Sequence, residues 1–299
     1  MPQINKTVLM SGADYFNDTD AINILMDSHV PVNVKAAVEE HNSIKRALQM
    51  AGVEVKQVTA PLNCQDGVYT ANWGLVRNGK ALMARLPNTR KPEEGYALKA
   101  VQMLGLEAVT LPPEVERFSG QGDALPCGDL VFTQSPFRTS VSAHRYLKEI
   151  LGFKEVIALR TKPARWFGFG PPKKNKITGW PDSPTYDIDL ALSILKWPEG
   201  DNKGLIAYCP DVFKASSRKL LKKFDKVDKI TVSKKEALQA FALNLVSTGE
   251  TVVMNTGAPE LQAAIEAHGL STITLDLPEL RKGGGSIRCS TLTLDNDWS

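Results

Sequence analysis

Residues 283–294, "GGGSIRCSTLTL", set three glycines before an alternating run that reads as a β-strand. Cys289, one of four cysteines in 299 residues, stands inside that run. A strand cysteine is ordinarily a small core hydrophobe, and Cys64, Cys127 and Cys209 are read that way. Cys289 differs in its approach. Glycines tolerate φ values that other residues avoid and let a ligand or a second backbone come close. On the residues alone, a core thiol and a nucleophile both stay open for Cys289.

Outward from this stretch, strand-like and helix-like segments alternate along the whole chain. "KTVLMSGA" (6–13), "VEVKQVTA" (53–60), "GVYTANWGLV" (67–76), "KALMARL" (80–86), "EAVTLP" (107–112), "GDLVFTQ" (128–134) and "EVIALR" (155–160) read as strands. So do "DIDLALSIL" (187–195), "GLIAYCP" (204–210), "KITVS" (229–233), "TVVMN" (251–255) and "STITLDLP" (271–278). Helices are expected over 32–52, ended by Gly52, and over 92–105, with Pro92 and two acids at its start. Others are expected over 142–152, 214–225, 234–249 and 258–269. Hairpin-like strand pairs interrupt the alternation, so the class is α/β with a mixed sheet arrangement.

Composition is that of an ordinary globular protein, 42% hydrophobic and 23% charged. A net charge of +3 is too small to argue for nucleic acid. No apolar run reaches spanning length, and the N-terminal residues lack a signal-peptide pattern. The expectation is a cytoplasmic protein with no membrane partner. The cysteine spacings match no zinc pattern, and no metal or cofactor is expected. The lysine-rich stretch 214–235 reads as a solvated helix face. The irregular segment 161–185, rich in Pro, Gly, Lys and aromatics, reads as a lid, a binding loop or a surface insertion.

Acids recur in the other loops: Asp66 and Asn72 around "GVYTANWG", Asp123 in "SGQGDALP", and Asp187 and Asp189 in "YDIDLAL". Strand alternation would point Asp187 and Asp189 to one face. Short carboxylates commonly cap turns, but several acids and a cysteine at strand ends also make a site for a planar cation such as guanidinium.

These segments, in this order, resemble the guanidine-modifying enzymes of the pentein superfamily: arginine deiminases, dimethylarginine dimethylaminohydrolases, glycine amidinotransferases and cyanobacterial-type arginine dihydrolases. The similarity is carried by "VLMSGADYFNDTDAINILMD" (8–27), "GVYTANWGLV", "FSGQGDAL" (118–125) and "PFRTSVSAHRYLKEILGF" (136–153). "YDIDLAL" (186–192), "ALNLVSTGETVVMN" (242–255) and "DLPELRKGGGSIRCSTLTL" (276–294) complete it.

The resemblance implies a pseudo-fivefold α/β propeller spanning 1–299 as one catalytic domain, with the site at its centre. It implies that Cys289 attacks the central carbon of a guanidinium, giving a covalent amidino-enzyme that water or an amine resolves. It places the guanidinium-gripping carboxylates at Asp66 and Asp189, a substrate-contacting asparagine at Asn72, and a substrate-carboxylate arginine at Arg138. The chain departs from the family pattern at two positions. Asp187 stands where the family has a catalytic histidine, and Ser119 where it has an acid, leaving Asp123. The expectation is therefore a cysteine-dependent hydrolase of arginine or a related guanidino compound, with Cys289, Asp187 and Asp123 in the chemistry. A pentein that binds a guanidino ligand without turnover, and an amidinotransferase, remain open. A homo-oligomer is compatible with either.

Overall fold

The computed structural model describes residues 3–27 and 29–297. Its strands form five three-stranded sheets. The chain enters on β1 (Thr7–Met10), crosses over through α1 (Val34–Met50), and returns on β2 (Glu54–Gln57). Next come β3 (Gly74–Arg77), β4 (Lys80–Met83), α2 (Lys91–Met103) and β5 (Glu107–Val109). The third unit is β6 (Ala124–Cys127), β7 (Leu130–Gln134), α3 (His144–Glu149) and β8 (Glu155–Leu159). The fourth is β9 (Leu192–Lys196), β10 (Gly204–Tyr208), α4 (Ala215–Lys223) and β11 (Val227–Thr231). After α5 (Lys234–Gln239) come β12 (Val246–Ser247), β13 (Thr251–Asn255), α6 (Pro259–Ala267) and β14 (Ser271–Leu275). Finally α7 (Pro278–Lys282) leads to β15 (Leu292–Thr293), which pairs with β1 and closes the ring of units.

Every sheet repeats one pattern. The first strand pairs antiparallel with the second, and the second pairs parallel with the third across a helical crossover. This is the pseudo-fivefold α/β arrangement expected from the sequence. The amphipathic face of α1 shows how a crossover is fixed. Asn33 caps it by accepting from the Ala36 N–H at 3.2 Å, and Ala37, His41, Ile44, Ala47 and Leu48 are buried at helical spacing. The chain leaves α1 through Gly52 at φ +83°. In the basic stretch, α4 buries only Ser217 and Leu221 and turns its lysines to solvent. No helix among the described residues is long and apolar enough to cross a membrane.

Three expected strands and one helix come out differently, each where a unit begins. "TANW" within 67–76 is a 3-10 helix, Thr70–Trp73, and only Gly74–Arg77 is strand. "YDIDLAL" contains a 3-10 helix, Ile188–Leu190, so Asp187 and Asp189 leave a turn in two directions and do not share a strand face. Cys289 lies in a turn, held by Ser290 N–H to Ser286 O at 3.0 Å and Thr291 N–H to Arg288 O at 3.1 Å. Strand pairing begins only at Leu292. The helix expected over 234–249 stops at Gln239, where the chain turns through Phe241 at φ +51°. The carboxylate of Glu236 caps α6 instead, accepting from Glu260 N–H at 2.8 Å and Leu261 N–H at 3.0 Å. β6 was not expected. The segment 161–185 folds back on itself through bridges at Arg165–Pro172 and Lys174–Pro181, and Asn175 donates to Ala21 O at 2.9 Å.

Candidate active site

The five turns that precede the first strands meet at the centre of the ring, and they carry the polar side chains. Cys289 comes from the turn before β15, Asn244 from the turn before β12, and Asp187 and Asp189 from the 3-10 helix before β9. Asp123 precedes β6 and Asn72 precedes β3. The fold thus gathers residues up to 217 positions apart, because each unit repeats the same entry geometry. The Ala71 N–H donates to Cys289 O at 3.0 Å and ties the first and last of these turns together.

On one wall the Cys289 thiol donates to Asp189 Oδ2 at 3.2 Å and accepts from Asn244 Nδ2 at 3.1 Å. Asn244 Oδ1 also accepts the Cys289 N–H at 3.2 Å, so one amide orients both the backbone and the sulfur. Gly284 sits at φ +87°, and a Cβ there would lie 2.7 Å from Tyr186 Oη. That hydroxyl donates to Gly284 O at 2.6 Å. The glycines therefore let Tyr186 and Tyr69 close against the cysteine turn.

Burial, followed by the Asp187 charge, pushes Asp189 up to about 8. Burial and then the carboxylates of Asp189 and Asp187 push the Cys289 thiol well above its usual range. Both effects oppose charge separation between the thiol and its carboxyl neighbour. Burial also pushes Arg288 down to about 10, although Asp189 and Cys289 oppose this.

The other wall is ion-paired. Arg90 and Glu93 are buried and form a bidentate pair, Nε to Oε1 at 2.8 Å and Nη2 to Oε2 at 2.7 Å. Arg90 Nη1 donates to Asn72 Oδ1 at 2.8 Å, and Nη2 to Asp66 O at 3.1 Å. Asn72 Nδ2 in turn donates to Ser119 Oγ and Asp187 Oδ2, both at 3.0 Å. Asp66 is buried and pushed up to about 6, mainly by burial, with Arg90 opposing. Arg138 lies over the Tyr186 ring, 4.0 Å from its centroid, with Nη1 3.9 Å from Asp187 Oδ2 and Nη2 3.4 Å from Ile22 O.

The structure therefore brings Cys289 and Asp189 into contact, and links Asn72, Asp187 and Arg138. Asp66 is tied to Asn72 through Arg90 and the Tyr69 backbone, and Asp123 reaches the group through the Ile188 N–H at 2.9 Å. None of the four histidines is hydrogen-bonded to these side chains among the described contacts. His41 is buried within α1, and burial pushes it down to about 4. Sequence reading missed Asn244, Arg90 and Glu93. Asn244 lies inside the matched stretch "ALNLVS", so its signal was available. Among the described residues, no group of three or more His, Cys, Asp or Glu side chains is arranged to hold a metal ion.

No family model matches the chain. Over 286 residues it is 30% identical to the N(G),N(G)-dimethylarginine dimethylaminohydrolase of Mycobacterium tuberculosis, covering 95% of this chain and 84% of that one. The chain belongs to the pentein family of guanidine-modifying enzymes. It is also 27% identical over 289 residues to the bifunctional arginine dihydrolase/ornithine cyclodeaminase AgrE of a Nostoc species. That match covers 95% of this chain but 37% of the longer protein. A solved structure of the N-terminal domain of ArgZ, covalently bound to a reaction intermediate, superposes with a TM-score of 0.83 at 23% identity. It covers 97% of this chain and 98% of that domain, and at that identity the likeness speaks for the pentein fold.

Proposed function

We propose that this pentein protein hydrolyses a C–N bond of arginine or a related guanidino compound through a covalent amidino-cysteine formed at Cys289. The observation that carries the reading is the contact of the Cys289 thiol with Asp189 at 3.2 Å, at the one place where turns from all five units converge. Asp189 and Asp66 are the groups for the guanidinium. Each is held partly protonated by burial, and an entering cation reverses that balance by favouring the ionised forms. The same cation favours the thiolate. The sulfur then adds to the guanidinium carbon, an amine or ammonia departs with one added proton, and water cleaves the C–S bond.

Asp187 and Asp189 are wholly buried and Cys289 is 2% exposed. A ligand therefore reaches Cys289 only after neighbouring residues move, and the 21–27 segment lies against the cysteine turn. It is tied down by the Asn23 side chain on Gly283 O at 3.0 Å and by Arg138 on Ile22 O.

The test is a panel of guanidino and ureido compounds, assayed for ammonia, urea and amine release with the Cys289→Ala variant as control. Product formed by the parent and not by the variant is the expected result. Equal product from both removes the nucleophile. A second reading, ligand binding without turnover, is favoured by the absence of a histidine from the site. It predicts calorimetric binding of arginine or an analogue with no product from any member of the panel.

A further inference from the structure

Three buried carboxylate oxygens in the site have no hydrogen-bond partner: Oδ1 of Asp189 and, on a neighbouring pair of side chains, Asp123 Oδ2 and Asp187 Oδ1. Both side chains are 0% exposed. The two residues approach each other reciprocally. Asp123 Oδ1 accepts the N–H of Ile188, the residue after Asp187, at 2.9 Å. Asp187 Oδ2 would lie 2.9 Å from a Cβ on Gly122, the residue before Asp123, so only glycine admits the carboxyl there. Two carboxyl groups packed against each other's backbone and cut off from water do not both ionise, because each charge opposes the other. One proton held by the pair removes one of the two opposed buried charges.

We propose that Asp123 and Asp187 share one proton at neutral pH, and that this carboxyl pair supplies the proton to the departing nitrogen, the task that falls to the histidine this chain lacks. The inference rests on the hydrolase reading above for its second half and on the buried geometry alone for its first. Asp187 is the member that faces the site, through Asn72 and Arg138, and Asp123 lies behind it.

The surroundings bear on which state wins. Thr139, Gln134 and the Ile188 amide face Asp123 and favour its ionised form. Burial, and next the Asp187 charge, outweigh them and push Asp123 well above the usual carboxylate range. Around Asp187 stand Asn72 and Arg138, with Arg90, Asp189, Cys289 and Tyr186 in electrostatic reach.

The step balances. Cys289 sulfur adds to the guanidinium carbon and gives a neutral tetrahedral adduct. The pair gives its proton to the substituted nitrogen, the C–N bond breaks, and a thiouronium and a free amine result. The pair is then doubly anionic beside a cationic carbon. It takes a proton from the attacking water, and collapse of the second adduct expels the thiolate and leaves protonated urea, which passes its proton to the departed amine.

The experiment follows the carboxyl carbons of the full chain labelled with carbon-13 aspartate from about pH 5 to about pH 9, in parallel with kcat/KM against pH for the best substrate of the panel. Asp123→Asn keeps an oxygen for the Ile188 N–H, and Asp187→Asn is the second variant should the first fold poorly. Expected at pH 7 are two protonated carboxyls in the parent, Asp189 and one from the pair, and only that of Asp189 in each variant, with a kcat about 100-fold lower in Asp123→Asn and its alkaline limb gone. A parent with a single protonated carboxyl at pH 7, lost in Asp189→Asn, overturns the shared proton. A protonated carboxyl with unchanged kcat and pH profile in Asp123→Asn overturns its use as the acid. A parent that keeps the signal but turns over no compound overturns the hydrolase reading and leaves the shared proton standing.

Discussion

The two walls of the site are built on opposite electrostatic plans. Arg90 and Glu93 neutralise each other beside Asp66 and Asn72, with their mutual contacts and those of Arg90 to Asn72 and Asp66 between 2.7 and 3.1 Å and both members of the pair almost fully buried. Across the centre, Cys289 and Asp189 are offset by Asn244, the Ser286 backbone and the more distant Arg288, yet burial forces protons onto both. The paired wall is set before any ligand arrives. The Cys289 wall has a charge state that a cation decides. A guanidinium finds Arg90 and Glu93 already neutralised on the first wall, where Asp66 is left to ionise, and changes both the carboxyl and the sulfur of the second, so binding and activation of the nucleophile become one event.

The sharpest break of this contrast is at the sulfur. Cys289→Ala is expected to abolish turnover, since a methyl group supplies no nucleophile, while thermal unfolding shifts by only a few degrees. Retained activity would sink covalent catalysis. Next in size is the paired wall. Arg90→Ala leaves Glu93 buried without its charge partner, and loss of about 3–5 kcal/mol of stability is expected in denaturant titration. Asn72 loses its Oδ1 donor in the same variant, so ligand affinity falls as well. An Arg90→Ala protein as stable as the parent would show that the pair contributes nothing to holding this wall.

That wall was the hardest to read in the sequence. "NTRKPEE" looks like a helix start with acids favoured by the dipole, and Glu93 does sit in the first turn of α2. Its side chain points inward to Arg90, a fact of tertiary packing that no local pattern carries. The turns before each unit were misread for a related reason. "TANW" and "DIDLAL" alternate in polarity over a few residues, too short a span to separate period two from the three-residue turn of a 3-10 helix. The strands and crossovers were legible because their apolar spacing persists over longer stretches, as in α1 and β10. The cysteine was legible through its glycine approach. Its partner Asn244 was hidden in a segment read as helix, which the Phe241 turn in fact ends.

The contrast between the walls also appears in the pH dependence of stability. Asp66 and Asp189 are raised from 3.8 to about 6 and about 8, so the native state binds more protons than the unfolded chain over that range. Their contribution is fully present below the unfolded value and is lost as pH rises through the folded ones. The melting temperature is expected to be higher near pH 6 than near pH 8.5, and the slope to shrink in Asp189→Asn. Arginine or an analogue should stabilise the protein more at the higher pH, where the carboxylates are already ionised. Equal ligand-induced shifts at both pH values would separate binding from these carboxylates.

The smallest effect tests the Cys289 wall alone. Its thiol is raised by burial first, then by Asp189, then by Asp187. Burial is common to all variants, so replacing one acid exposes that acid's own share. Asp189→Asn removes the nearer acid and the charged acceptor of the S–H bond, and Asp187→Asn removes the farther acid, which bonds Asn72 and lies by Arg138 and makes no hydrogen bond to the sulfur among the described contacts. The rate of Cys289 methylthiolation by a small neutral reagent, followed by mass spectrometry against pH, is expected to rise in the order parent, Asp187→Asn, Asp189→Asn. The steps at pH 8 should be several-fold, since a fall of half a pKa unit or so changes the thiolate fraction by about that much. Asp187→His should exceed Asp187→Asn, because an imidazolium beside the sulfur favours the thiolate where an amide is neutral. Coincident curves for Asp187→Asn and the parent would show that Asp187 does not act on the sulfur. The like-charge account of the Cys289 wall would then rest on Asp189 alone.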